Sequence, residues 1–284
     1  MLFNAGLEVI QTFLIKVLKS GNIPHHVAVI MDGNRRYAKQ SNIRHVDGHR
    51  RGYNTLRNMT QWCKELGISA LTVYAFSIDN FKRTPEEIDE LLHMMNVQCE
   101  EIISDIKNSR LKDTCFKVIG DVTLLPEDFR KTLAILVSIT TECSFQLTIA
   151  LAYTSKDELT TAAKDIIVGV KNNLIQPDDV NEGLVSACLY TNYIANPDIV
   201  IRTSGEVRFS NFLLWQSGTS ITWFIEPLWP NFSLWNLMAL VFFYQRCFKD
   251  VLNCPTMNTG NRVKRFVNGL NEKRMKQLRT QNIK

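Results

Sequence analysis

Residues 26–39, His26-Val-Ala-Val-Ile-Met-Asp-Gly-Asn-Arg-Arg-Tyr-Ala-Lys39, run five apolar residues straight into an aspartate, a glycine, an asparagine and two arginines. A short apolar run closed by turn residues predicts a buried strand, and the segment after it predicts a helix start. Asp32 then stands where a buried strand meets solvent, and Gly33 permits a tight turn. A helix N-terminus offers free backbone N–H groups to phosphate. Arg35 and Arg36 add planar donors suited to bidentate phosphate contacts. A single carboxylate beside phosphates also suits Mg²⁺, which keeps several waters and shares phosphate oxygens. The plain alternative is that Asp32 caps a helix and the arginines are solvated.

Outward from this stretch, short apolar runs alternate with longer periodic segments, the pattern of a mainly parallel sheet with helices on its faces. Strands are predicted at 27–31, 70–76, 115–120, 146–152, 198–202 and 220–225. Helices are predicted at 50–66, from Thr84, from Ser155, from Pro126 to about 142, and at 181–190, 233–248 and 262–279. Thr84-Pro-Glu-Glu87 and Ser155-Lys-Asp-Glu158 both read as capping boxes. The helix after Thr84 carries Ile88, Leu91, Leu92, Met95, Cys99, Ile102, Ile103 and Ile106 on one face. The fold class is therefore α/β: a single domain with a six-stranded sheet.

In such sheets ligands sit beyond the carboxyl ends of the strands. Three polar clusters follow predicted strands: Asp32-Gly-Asn-Arg-Arg36, Ser77-Ile-Asp-Asn-Phe-Lys-Arg83 and Arg202-Thr-Ser-Gly-Glu-Val-Arg-Phe-Ser210. Parallel strands would bring all three to one rim. A second arginine-and-hydroxyl cluster suggests two polyanionic substrates. Neither a G-x-x-x-x-G-K-[ST] loop nor a G-x-G-x-x-G fingerprint occurs, so nucleotide binding lacks its usual support.

Composition narrows the remaining classes. Of the formal charge of +5, the segment from Arg262 to Lys284 carries eight basic residues against Glu272 alone, a local +7 that leaves the rest near −2. A solvated helix is the plain reading, and anionic lipid or nucleic acid the rival one. Nucleic-acid binding is not expected, because the aromatics are not interleaved with the charges as stacking platforms. Seven cysteines form no CxxC and no Cys/His ligand spacing, so they are expected to be reduced core residues of a cytosol-facing protein. No run approaches the ~18 apolar residues of a membrane span. The N-terminal segment places Leu2, Phe3, Leu7, Ile10, Phe13, Leu14, Val17 and Leu18 at helical spacing. Such a helix could lie on a membrane surface, cap an apolar cavity or pack on the domain. Asp178-Asp179-Val-Asn-Glu182 faintly resembles the aspartate-rich motif of trans-prenyl synthases, but it follows Gln176-Pro177 in a turn and reads better as helix capping.

HVAVIMDGNRRYAK, the Gly48-His49 pair, YAFSIDNFKR at 74–83, IRTSGEVRFSNFLLWQ at 201–216 and PLWPNF at 227–232 together resemble the cis-prenyltransferase family. RRYAK, LAYTSKDEL and RTSGEVR are similar to its eukaryotic branch, the one that serves dolichol synthesis. The resemblance spans about residues 23–250, which leaves 1–22 as an N-terminal amphipathic helix and 251–284 as a basic helical tail. It implies an enzyme that adds isopentenyl diphosphate to farnesyl diphosphate with a cis double bond at each step. The products would be long polyprenyl diphosphates for dolichol and protein glycosylation.

The resemblance also implies roles. Asp32 would organise Mg²⁺ and the diphosphates. Gly33, Arg35, Arg36 and Arg83 would serve mainly the allylic diphosphate with His49 beside it, Arg44 would be a further substrate-binding residue, and Arg202, Arg208 and Ser210 would hold isopentenyl diphosphate. Asn34 would support the reacting geometry, and Ser77 and Asn80 would position the loop around Arg83. The tail needs an apolar tunnel, for which the Ile88-to-Ile106 face, Trp62, Val73 and Phe76 are candidates. Bacterial relatives, the undecaprenyl diphosphate synthases, carry a metal-linked glutamate after FLLWQ; that position falls on Ile221 here, and Glu226 comes later. The tail lacks the Arg-x-Gly end with which homodimeric members close a partner's site. A heteromer with a Nogo-B receptor-type subunit, on the cytosolic face of the endoplasmic reticulum membrane, is therefore expected. The chief rival is a non-catalytic scaffold of the same fold, which would be expected to lose Asp32 or the arginines at 202 and 208.

Overall fold

The computed structural model describes residues 2–108, 111, 113–141, 143–248 and 260–279. Six strands form one parallel sheet: β1 (His26–Ile30), β2 (Ala70–Tyr74), β3 (Thr114–Ile119), β4 (Phe145–Ala150), β5 (Ile199–Arg202) and β6 (Ile221–Phe224), in the order β3-β4-β2-β1-β5-β6. All six predicted strands are present, shifted by one or two residues at their ends. The chain leaves β1 toward β2 on one side and leaves β5 toward β6 on the other. The crevice between β1 and β5 is thus the point where the strand order reverses, the usual ligand position in such a sheet.

The helices are α1 (Leu2–Leu18), α2 (Asn34–Gln40), α3 (His45–Leu66), α4 (Pro85–Lys107), α5 (Glu127–Ser138), α6 (Ser155–Lys171), α7 (Glu182–Cys188), α8 (Leu234–Cys247) and α9 (Asn261–Arg279). Alternation along the strands splits the core between the two faces of the sheet. Val27, Val29, Leu71, Val73, Phe116, Leu147, Ile199 and Ile201 pack with α3, α4, α5 and α8. Ala28, Ile30, Ile119, Ala150 and Val200 face Tyr153, Phe212 and Leu213 on the other side. The basic α9 sends Val263, Phe266 and Leu270 into a further cluster with α6 and α7.

Local patterns were overridden in three places. Thr84 Oγ1 does cap α4 by accepting from Glu87 N at 3.4 Å, but the Glu87 carboxylate takes Arg83 at 2.8 Å instead of reaching back. Before α6 the cap is Thr154, whose hydroxyl accepts from Asp157 N. Glu158 is instead 1% exposed and accepts from Tyr153 Oη at 2.6 Å, Tyr190 N at 2.8 Å and Gln216 Nε2 at 3.0 Å. Three donors, two of them distant in sequence, satisfy this buried carboxylate, which a bond back to its own helix end would not do.

The third is the expectation of reduced cysteines, which fails at one pair. Pairing of β3 with β4 brings Cys115 and Cys143 to a Cα separation of 5.7 Å, within the range that a disulfide spans, and they are joined. Cys63, Cys99, Cys188 and Cys247 are free, and Cys254 lies outside the described residues. The aspartates at 178 and 179 sit in a 3-10 turn in which Asp179 accepts from Gln176 N and pairs with Arg262 of α9.

A cationic mouth on an apolar cavity

β1 ends at Ile30, and the next turn is fixed by side-chain zipping to β5. Thr203 Oγ1 accepts from Asp32 N at 3.0 Å and donates to Asp32 O at 2.6 Å. This sets the Asp32 carboxylate beside Arg202, whose Nη2 donates to Oδ2 at 2.7 Å. Gly33 follows at φ +110°, where a side chain is strained, and a Cβ there would meet Leu228 at 2.9 Å. α2 then starts at Asn34, so its first amides and the side chains of Arg35 and Arg36 open onto the same rim.

Arg202 is 4% exposed and held from three sides. Besides Asp32, it donates through Nη1 to Arg208 O at 2.6 Å and Ser210 Oγ at 2.7 Å. Its Nε has no partner. Arg36 is more exposed: it donates to Ser204 O at 3.0 Å and to Ser204 Oγ at 2.5 Å, and lies 3.6 Å from Asp32 and 3.4 Å from Glu206. Glu206 also pairs with Arg208. Across the mouth, Glu87 serves both Arg83 at 2.8 Å and Arg35 at 3.8 Å. Burial alone would raise the Asp32 carboxyl, but the hydrogen bond and charge of Arg202, with the charge of Arg36, hold it below its ordinary value. It is an anion at any physiological pH.

Ser77 and Asn80 build the turn before Arg83. Ser77 Oγ accepts from Asp79 N, Asn80 Oδ1 accepts from Ser77 N at 2.9 Å, and Arg83 N donates to Asn80 O at 3.1 Å. His49 is half-buried on α3; burial of its ring, then the charge of Arg83, lowers its pKa to about 4, so the ring is neutral. Its Nε2 and the Asn34 Oδ1 are buried without partners. Asn34 lies against Gly52 of α3, where any Cβ would overlap Asn34 Oδ1.

One cavity of about 1400 Å³ gathers these groups. Asp32, Gly33, Asn34, Arg35, Arg36, His49, Ser77, Asn80, Arg83, Arg202, Arg208 and Ser210 all line it. Arg44 does not: it sits exposed at the start of α3, bonded to Asp47 at 3.0 Å, which satisfies it locally. Inward, the lining turns apolar, with Phe76, Met94, Met95, Ile102, Phe116, Phe129, Leu147 and Ile149. Of the tunnel residues expected from sequence, Phe76, Met95, Cys99 and Ile102 line the cavity, whereas Leu91, Leu92 and Ile103 lie in the core and Ile88 and Ile106 pack against it. Val73 lies in the core instead, and Trp62 packs against it, because strand alternation and helix rotation turn both away. Glu206 was missed, although its place between Arg202 and Arg208 in RTSGEVR marked it as a counter-ion. Glu226 is exposed against Gly205 and outside the cavity, so it adds no second acid there.

A charged mouth with two guanidinium pockets joined through Asp32 and Glu206, at the reversal point of a parallel sheet and leading into an apolar interior, suits polyanionic groups that carry a hydrocarbon tail. Residues 30–250 match the undecaprenyl diphosphate synthase family. The chain belongs to this family, that of the cis-prenyltransferases. It is 41% identical over 243 residues to the mouse dehydrodolichyl diphosphate synthase complex subunit, covering 84% of this chain and 72% of that one. It is 38% identical over 247 residues to a geranylgeranyl-diphosphate-specific tritrans,polycis-undecaprenyl-diphosphate synthase of Thermococcus kodakarensis, covering 87% and 93%. The crystal structure of lavandulyl diphosphate synthase from Lavandula x intermedia, in complex with dimethylallyl diphosphate, superposes with a TM-score of 0.75 at 30% identity, covering 78% of this chain and 95% of that one.

Proposed function

We propose that this chain is the catalytic subunit of a heteromeric enzyme that adds isopentenyl diphosphate units in cis to farnesyl diphosphate, making long polyprenyl diphosphates for dolichol synthesis. The observation that carries it is the Arg202–Asp32 bond of 2.7 Å, which ties two guanidinium pockets to one acid at the mouth of one apolar cavity. Arg202, Arg208 and Ser210 hold isopentenyl diphosphate. Arg35, Arg36, Arg83, the Gly33 turn and His49 hold the allylic diphosphate. The allylic C–O bond breaks with its electron pair leaving on diphosphate, the alkene of isopentenyl diphosphate forms the new C–C bond, and one proton is lost. Guanidinium groups and helix-end amides meet the charge that develops on the leaving group. Holding both diphosphates aligns alkene and allylic carbon. The unpartnered Asn34 Oδ1 lines the cavity near this junction and is the acceptor best placed to assist loss of the proton.

Asp32 is the residue that would hold Mg²⁺. A single ionised carboxylate fits an ion that takes its other ligands from water and phosphate. Among the described residues no group of three His, Cys, Asp or Glu side chains could hold a metal alone. When bound, Mg²⁺ neutralises diphosphate charge.

Two exposed apolar faces support the partner and the membrane. α8 presents Trp235, Phe242 and Phe243, with Phe243 packed 5.4 Å from Trp223 on the edge strand β6, an open face that a Nogo-B receptor-type subunit would cover. α1 exposes Val9, Ile10, Phe13 and Val17, which suits the cytosolic surface of the endoplasmic reticulum membrane. Among the described residues no helix is long and apolar enough to cross a membrane.

The test is incubation of the purified chain with farnesyl diphosphate, labelled isopentenyl diphosphate and Mg²⁺, with and without such a subunit. Long labelled products whose yield rises with the subunit are expected. Full activity alone with no stimulation contradicts the heteromer, and no product under either condition contradicts catalysis by this chain.

A further inference from the structure

The loop that follows β5 and carries Arg208 and Ser210 is strained. Ser204, Ser210, Asn211 and Leu213 stand at φ +81°, +48°, +60° and +46°, the left-handed region. Residues with side chains persist there only where the surrounding structure holds them. Part of that hold comes from behind, at the start of α6. Ser155 N donates to Asn211 O at 2.7 Å, and Ser155 Oγ accepts from Leu214 N at 2.8 Å. One turn further on, buried Glu158 accepts from Tyr153 Oη, from Gln216 at the far end of the loop, and from Tyr190 N. The last of these donors belongs to the backbone, so its place depends on how the chain is held at residues 188–190.

That stretch is the C-terminal end of α7, where the last carbonyls have no partner within the helix. Arg274 of α9 closes it. Its Nη2 donates to Cys188 O at 2.5 Å and its Nη1 to Leu189 O at 3.0 Å, with the guanidinium 5.0 Å from the centre of the Tyr190 ring. Asp165 of α6 lies 3.6 Å from the same group, which keeps only 20% of its side chain exposed. A cation suits a helix C-terminus, and the planar fork fixes both carbonyls at once. α9 is anchored separately, by Val263, Phe266 and Leu270 in the α6–α7 cluster and by the Arg262–Asp179 pair. It lies beyond residue 250, where the family match ends.

We propose that α9 sets the affinity for isopentenyl diphosphate from behind the site: Arg274 is a positioning residue that acts through Tyr190 and Glu158 to keep the loop of Arg208 and Ser210 in its strained form. The inference rests on the isopentenyl diphosphate assignment proposed above. Arg274 does not line the cavity, so its influence on a substrate passes through the loop. Arg208 O and Ser210 Oγ are two of the three acceptors that fix Arg202, and a relaxed loop withdraws both. Arg35 and Arg83 answer instead to Glu87 of α4, so the allylic diphosphate feels the change least.

The test uses the enzyme assembled as in the assay above and measures melting temperature and KM for each diphosphate. Arg274→Met keeps the bulk of the side chain and loses the fork. It is expected to raise KM for isopentenyl diphosphate by roughly five- to tenfold, and KM for farnesyl diphosphate by less than about twofold, the scale of coupling through a packed network. Arg274→Lys, with the charge but not the fork, should fall between wild type and the methionine variant. Lys273→Met, which removes only a neighbouring pair with Asp165, should match wild type. Glu158→Gln should raise the same KM, and combining it with Arg274→Met should add little to the larger single effect. Loss of stability alone lowers the active fraction and kcat without raising one KM, so it does not imitate this result. An unchanged KM for isopentenyl diphosphate in both Arg274 variants overturns the proposal, as does an equal rise for both substrates or strict additivity in the double variant. If Arg202→Lys also leaves that KM unchanged, the pocket assignment itself has failed, a result distinct from the others.

Discussion

Each of the two guanidinium pockets at the mouth pairs a held arginine with looser ones, but the held arginines are held differently. Arg202 is 4% exposed and fixed by Asp32, Ser210 and the carbonyl of Arg208, while the Arg208 side chain is 58% exposed. Across the mouth Arg83, with 20% of its side chain exposed, is held by Glu87, while Arg35 and Arg36 keep 55% and 45% of their side chains exposed. Arg202 is thus tied into the fold by three acceptors and Arg83 by one carboxylate that Arg35 shares. On the proposed assignment, Arg202 meets the same small molecule in every cycle, and the Arg83 side meets a diphosphate that must be released and gripped again. Rigid donors lower the reorganisation needed at the reacting centre.

Removing the acid that holds the buried Arg202 should have the largest effect. Asp32→Ala is expected to lower kcat by about 10²–10³-fold, the scale for loss of a preorganised electrostatic group, in steady-state assays with saturating substrates. Next comes the close approach of α3. Gly52→Ala places a methyl group on Asn34 Oδ1, and misplacement by about 1 Å can cost ~10²-fold in kcat. A normal melting temperature would show that the fold survives.

A smaller effect separates the sides by pH. His26 and His49 are both lowered to about 4, chiefly by burial, so each stays neutral when folded while its unfolded counterpart protonates near 6.5. The unfolded chain binds more protons in that window, so stability rises with pH from about 4 to 6.5 and is lost on acidification. Melting temperatures across that range should fall toward pH 4, and less steeply in His49→Asn. Smallest of all is Arg44→Ala. This arginine is hydrogen-bonded to Asp47 at an exposed helix start outside the cavity, and its loss is expected to leave KM for both diphosphates unchanged in the same kinetic assay.

That two arginine clusters share one rim was legible in the sequence, though not how firmly each arginine is held. The apolar runs ending at Asp32, Ser77 and Arg202 placed three polar clusters after strands, and a parallel sheet has only one carboxyl rim on which to gather them. What stayed hidden depended on tertiary contacts. Glu158 fits a capping box locally, yet its donors come from residues 190 and 216, which only folding brings near. Cys115 and Cys143 lie 28 residues apart and meet only because β3 pairs with β4. Arg44 shares its composition with its functional neighbours, and nothing in that stretch reveals that Asp47 turns it away.

The central claim is that two distinct diphosphate pockets meet at Asp32, and crossed kinetics test it most directly. KM for isopentenyl diphosphate and for farnesyl diphosphate would be measured separately in Arg202→Lys and in Arg36→Lys. The lysine at 202 should raise KM for isopentenyl diphosphate alone, and the lysine at 36 should raise it for farnesyl diphosphate alone. Equal shifts for both substrates in both variants, or none in either, would contradict it.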